Sequence, residues 1–233
     1  MIDKEIMIFV EGPSDKVFLE VYLYFLGNFL TKNFKVRSIN GKGNLSNHLN
    51  EIEQYAKTLI IFDADIKEEN QESDVGFDNK LKHIREKFKE KGTDFPKEQI
   101  FLFPNNQDDG DLETLLLEIA KHDEFLKCFK RYLKCIGIKE HHEPIKDIRK
   151  NMLYAYLEVF GLQDFFKYKW DKNDKTNEKE IIIDDKGKIK EKHQEEYERL
   201  KEVIGFNSKS LIPLKDFLGQ FAENNQKTNL KIF

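Results

Sequence analysis

Six carboxylates in the first half of the chain stand where chemistry can be done. Glu11 and Asp15 lie in EGPSD, Asp63 and Asp65 end the run TLIIFDADI, and Asp111 and Glu113 lie in DGDLETLLLEI. An apolar run that stops at Asp63-Ala64-Asp65 asks for a reason. The two-residue spacing turns both carboxylates to one side of a chain that stays extended. Carboxylates crowded together repel and raise each other's pKa values. A hard divalent cation, Mg²⁺ or Mn²⁺, removes that conflict, since it takes a shell of oxygen ligands. Such an ion activates water and offsets charge on a phosphoryl oxygen. Each acid also has a plainer reading: a solvated loop for the Asp pair and for Glu11, a dipole-favoured first-turn acid for Asp15 and Glu113, an N-cap for Asp111. Joint placement on one rim is what favours the cation.

That placement depends on the elements that carry the acids. Residues 5–10 read as a short strand, and Ser14 as the cap of a long amphipathic helix with apolar residues from Val17 to Leu30. Strand, helix, strand, helix, strand and helix follow over residues 34–39, 45–56, 58–62, 77–91, 99–103 and 112–120. Alternation of this kind predicts an α/β fold, a four-stranded parallel sheet with helices on its faces. Parallel sheets place functional residues at the carboxyl ends of their strands. Every unusual stretch of the first half falls at such an end.

Beyond residue 122 the pattern turns helical, over residues 125–136, 145–160 and 211–221. The expected organisation is an α/β domain over residues 1–122 and a mainly helical extension over residues 123–233 packed on it. Residues 167–198 are rich in Lys, Asp and Glu, and their apolar island Ile181-Ile182-Ile183 precedes a DDKG stretch that reads as a hairpin turn or a mobile segment. Lys42, in NGKGN, has two open readings: a cation that meets a phosphate, freed by its flanking glycines, or a plain loop lysine. Asn105 and Asn106 are expected to fix the loop after the fourth strand. His141 and His142 read as a solvated turn, and Trp170 as a loop anchor or a base-stacking ring.

Composition sets the bounds. Of 233 residues, 39% are hydrophobic and 35% charged, with a net charge of -4. The first 120 residues carry 15 Lys and Arg against 23 Asp and Glu; the remainder carry 24 against 20. An acidic half suits a polyanion-binding protein only if some acids hold cations, while the basic half offers phosphate contacts. No apolar run approaches the roughly 18 residues of a membrane span. The N-terminal MIDKEIMIFVEG is too acidic for a secretory signal, and Cys128 and Cys135 cannot pair along one helix. A cytoplasmic, reduced protein is expected, with no membrane partner and an oligomeric state left open. No GxxxxGK[ST] loop is present, so ATP hydrolysis by this chain alone is not expected.

EGPSD after the first strand and IIFDAD after the third resemble the TOPRIM domain of topoisomerases, primases and OLD-type nucleases. LFPNNQDDGDLETLLLEI and FNSKSLIPLKDFL resemble a small stand-alone bacterial TOPRIM family. The resemblance implies a Rossmann-like fold and Mg²⁺-dependent phosphodiester chemistry on DNA or RNA. By that likeness Glu11 is a metal ligand or general acid/base, and Asp63 and Asp65 are ligands. Asp15 and Glu113 serve a second ion. A nuclease in phage defence or repair is the implied function; a non-catalytic module that docks to a partner ATPase is the alternative. Topoisomerase activity would need a separate breakage domain and clamp that 233 residues leave no room for, and primase activity a template-binding domain that the sequence does not show. Receiver domains and dehalogenase-type phosphatases place their acid pair after the first strand, the reverse of this order.

Overall fold

Four short apolar runs, rich in Ile, Val, Leu and Phe, form one sheet. In the computed structural model they are β1 (Ile6–Val10), β2 (Phe34–Ser38), β3 (Lys57–Asp63) and β4 (Ile100–Phe103). The structure describes residues 6–27, 34–41, 44–52, 55, 57–66, 74–138, 145–168, 181–183 and 188–222. All pairings are parallel, in the order β2-β1-β3-β4. The fold is therefore α/β and Rossmann-like, with a helical C-terminal segment. β1 and β3 are central, and every residue of β1 is buried, as expected for a sheet covered on both faces.

Alternation along the strands divides the core in two. Ile6, Ile8, Val10, Leu59, Ile61, Phe101 and Phe103 face one side, packed with α1 (Pro13–Leu26), α4 (Leu112–Glu118) and the C-terminal helices. Met7, Phe9, Ile60, Phe62, Ile100 and Leu102 face the other, against α2 (Leu45–Ile52) and α3 (Phe77–Lys89). Each large apolar side chain so buried contributes about 1.5–3 kcal/mol.

The C-terminal half adds α5 (Asp123–Gly137), α6 (Ile148–Val159), α7 (Glu191–Val203) and α8 (Ile212–Gly219). Leu153, Leu157, Leu200, Leu214 and Leu218 join the core cluster that contains β1. Backbone bonds Lys121 N to Val203 O, 2.9 Å, and Gly205 N to Ile119 O, 2.8 Å, tie the end of α7 to the chain after α4. Tyr156 donates its hydroxyl to the same Val203 carbonyl at 2.7 Å.

Several expectations change. Ser14 does not cap α1; Gly12 holds the cap position, and the helix stops at Leu26, followed by Gly27 at φ 68°. The glycine ends the helix before the apolar pattern does; Phe29 and Leu30 lie outside the described residues. A helix the sequence reading missed, α7, occupies the charged stretch, with His193, Tyr197, Leu200 and Val203 on its buried stripe. An antiparallel bridge joins Ile183 to Ile189, in keeping with the hairpin alternative; the DDKG residues, His141, His142 and Trp170 lie outside the described residues. Both cysteines are free and exposed on α5. Among the described residues no helix is long and apolar enough to cross a membrane.

Candidate functional site

The chain leaves β1 for α1 toward β2, and leaves β3 for α3 toward β4 on the opposite edge. The carboxyl ends of β1 and β3 therefore flank the point where the strand order reverses, the usual crevice for ligands in open parallel sheets. Glu11 follows β1 directly, and Asp63 is the last residue of β3.

Asp15 lies in the first turn of α1 and accepts the Gly12 backbone N–H at 2.7 Å. A Cβ on Gly12 would come to 3.2 Å from that same carboxylate oxygen, so glycine lets the loop close over Asp15. Asp15 is only 9% exposed. Burial raises its pKa from 3.8 to about 7; Glu11 and Glu113 add to the rise, while the Gly12 N–H and Lys150 oppose it. Asp63 accepts the Leu112 N–H at 2.8 Å. Its pKa is also pushed well up, by burial first and then by Asp15, Glu11 and Glu113, with the Leu112 N–H opposing. Glu113 is raised by burial and by Asp111, against Lys150 and Arg149. Burial first, and neighbouring carboxylates after it, thus raise Asp15, Asp63 and Glu113 alike.

Asp65 is placed differently. The chain does not stay extended after Asp63, so the two carboxylates do not form a simple same-side pair. Asp65 sits at φ 61°, a left-handed conformation uncommon for a residue with a side chain, and its carbonyl accepts the Gly110 N–H at 3.0 Å. Gly110 has φ 151°, and a Cβ there would meet Pro104 Cδ at 2.9 Å. The Asp65 carboxylate reaches Lys80 Nζ at 2.9 Å, and the same ammonium donates to Glu11 Oε1 at 3.0 Å. Burial works against the charge on Lys80, but Glu11 and Asp65 outweigh it and hold its pKa above the ordinary lysine value.

Asp111 is committed twice. It caps α4, accepting Thr114 N at 2.7 Å and Thr114 Oγ1 at 2.6 Å through Oδ1. Its Oδ2 accepts Arg149 Nε at 2.8 Å and lies 2.8 Å from Arg149 Nη2. Arg149 and Lys150 open α6, so the C-terminal half brings two cations to the acidic rim. Asn105 accepts from the N–H groups of Gln107 and Asp108, and Asn106 accepts Leu102 N, fixing the loop after β4. Lys42 lies outside the described residues.

Sequence reasoning missed Lys80, Arg149 and Lys150. Lys80 did carry a signal: it lies four residues before Ile84 and eight before Phe88, on the apolar stripe of α3, where a lysine needs a partner. Arg149 and Lys150 are unmarked among many basic residues of that half.

The donors are all oxygen, the set a hard divalent ion takes. The Asp15, Asp63 and Glu113 side fits such an ion in charge and chemistry. The Glu11 and Asp65 side already holds an ammonium. Among the described residues no three His, Cys, Asp or Glu side chains stand close enough as a group to hold a metal ion.

Fold and site define a parallel α/β protein with a rim of acids at its switch point. Residues 5–164 match the family model described as a protein of unknown function, DUF3226, and the chain belongs to that family. No curated protein and no solved structure matches the chain.

Proposed function

We propose that this chain is a cytoplasmic, Mg²⁺- or Mn²⁺-dependent nuclease of TOPRIM type, cutting phosphodiester bonds of DNA or RNA. One observation carries the reading: Glu11 follows β1 and Asp63 ends β3, the two central strands, so the acids gather at the switch point of the sheet, where burial and then Asp15, Glu11 and Glu113 push the Asp63 pKa up. A rim in that condition calls for a divalent cation. Asp15, Asp63 and Glu113 are the residues to hold it, and a bound ion would supply an activated water and charge neutralisation at a phosphoryl oxygen. Glu11 and Asp65, fixed by Lys80, complete the wall of the crevice. Arg149 and Lys150 are placed to meet the phosphates of an incoming strand. TOPRIM-like spacing of EGPSD and IIFDAD adds support, as does the basic balance of the C-terminal half.

A second reading has its own observation. As the side chains stand, no group of three converges on a metal position among the described residues. A non-catalytic module that docks to a partner ATPase would show the same rim.

The test is cleavage of plasmid, linear and single-stranded DNA and of RNA by the purified chain with Mg²⁺, Mn²⁺ or EDTA. Metal-dependent cutting that falls more than about 100-fold in Asp63→Ala is expected of the nuclease, since even outer-shell partners cost 10–100-fold. Metal binding without cutting of any substrate overturns it in favour of the docking module.

A further inference from the structure

Lys80 is among the largest fully buried side chains of the protein, its side chain 2% exposed, and it points into a cluster of acids. An ammonium in that position loses most of its hydration, and a methionine would fill similar space without that cost. Its backbone is held as firmly as its charge. Lys80 N–H bonds to Gly76 O at 2.9 Å, Gly76 N–H to Ala64 O at 2.9 Å, and Phe77 N–H to Asp109 Oδ1 at 2.6 Å. The first turn of α3 is thus stitched to the end of β3 and to the loop after β4. Lys80 is not a surface arm that happens to fold inward.

The ammonium lies 3.0 Å from a Glu11 oxygen and 2.9 Å from an Asp65 oxygen. These are the acids that a two-ion arrangement of this rim would assign to a divalent cation. Mg²⁺ binds oxygens at about 2.0–2.1 Å, so an ion shared by these two acids would have to sit where the ammonium is. A monovalent and a divalent cation cannot share that position, because at such separations their repulsion is large even with protein screening.

We propose that Lys80 is the resident cation of the rim: held between Glu11 and Asp65, it fills the place that a divalent ion shared by those two acids would take, so the rim takes at most one such ion and none between Glu11 and Asp65. The inference rests on the reading of the rim as a cation site. It turns a two-ion centre into a one-ion centre with a covalently attached partner charge. Lys80 is a positioning residue here, aligning Glu11 and Asp65, and it does not transfer a proton.

Calorimetric titration with Mn²⁺ tests this on the full chain, wild type beside Lys80→Met. One additional ion per chain in Lys80→Met is the expected result. An unchanged ion count overturns the proposal, since a lysine that merely staples α3 to the strand ends would not alter stoichiometry. Wild-type binding is scored separately. If the wild type binds none and Lys80→Met binds one, the proposal stands and the cation reading of the wild-type rim falls. If neither binds, both fall. The wild-type chain alone keeps the proposal falsifiable should Lys80→Met not fold. Two Mn²⁺ per chain, or loss of the protected Lys80 ammonium resonance in an NMR titration with Mg²⁺, overturns it.

Discussion

The two sides of the acidic rim solve one problem in opposite ways. On one side Glu11 and Asp65 share the Lys80 ammonium at 3.0 and 2.9 Å. On the other, the hydrogen-bond partners of Asp15 and Asp63 among the described residues are the backbone N–H groups of Gly12 and Leu112, and their pKa values are driven up by burial and by neighbouring acids. The first side is neutralised from within the chain. The second is left in tension, and protons or a ligand must relieve it. Crowding of acids is therefore not one property of this rim. A carboxylate removed from either side should affect stability with opposite sign.

The largest effect comes from stripping Lys80 of both partners. The double variant Glu11→Gln, Asp65→Asn leaves a buried, unpaired ammonium and should lose about 3–5 kcal/mol in urea unfolding. A loss within error of zero would break the contrast between the sides.

Next is the pH dependence of the other side. Asp15 has a folded-state pKa raised to about 7 against 3.8 unfolded, so the folded chain binds its proton more tightly. Its penalty is absent below about pH 4 and grows as pH rises toward 7. Metal-free wild type should therefore lose roughly 4 kcal/mol relative to Asp15→Asn across that window. Parallel unfolding curves of the two proteins at pH 4 and pH 8 read the difference directly, and saturating Mg²⁺ should shrink it if a cation binds there.

Asp63→Asn sharpens the comparison at a single position. Asparagine keeps an oxygen for the Leu112 N–H and removes the charge, so metal-free stability at pH 8 should rise by about 1 kcal/mol. A fall in melting temperature would show that Asp63 is compensated after all. Smallest is Arg149→Met. Arg149 is 38% exposed in its pair with Asp111, and solvent screening limits the expected loss to less than about 1 kcal/mol. A drop in nucleic-acid affinity larger than the drop in stability would mark it as a phosphate contact.

Much of the frame was legible beforehand because strand periodicity and helix spacing are local signals. IMIFV, TLIIFD and IFLF can hardly be anything but buried strands, and their order fixed the switch point. The rim acids followed from that order. Four things did not follow. Asp65 leaves the extended path because Gly110 bonds its carbonyl, a contact 45 residues away in sequence. Asp111 caps α4, as one of its two readings has it, but the hold of Arg149 on its second oxygen, from 38 residues further along, had no local signal. Lys80 drew no reading of its own, because binary patterning treats every lysine as surface unless its position on the stripe is checked. α7 was hidden by charge: four buried residues in thirteen suffice once the neighbouring core accepts them.

The hydrogen bond from Gly76 N–H to Ala64 O has a consequence for protein engineering. It closes the chain between Ala64 and Gly76, next to Asp63 and Asp65 of the rim. A closed base separates the length of what it encloses from the geometry outside it, and added residues cost only a slowly growing closure entropy. An insertion between these two anchors, carrying a fluorescent or spin label, is therefore expected to strain the rim little. Such a graft would leave Glu11, Asp63 and Lys80 unsubstituted.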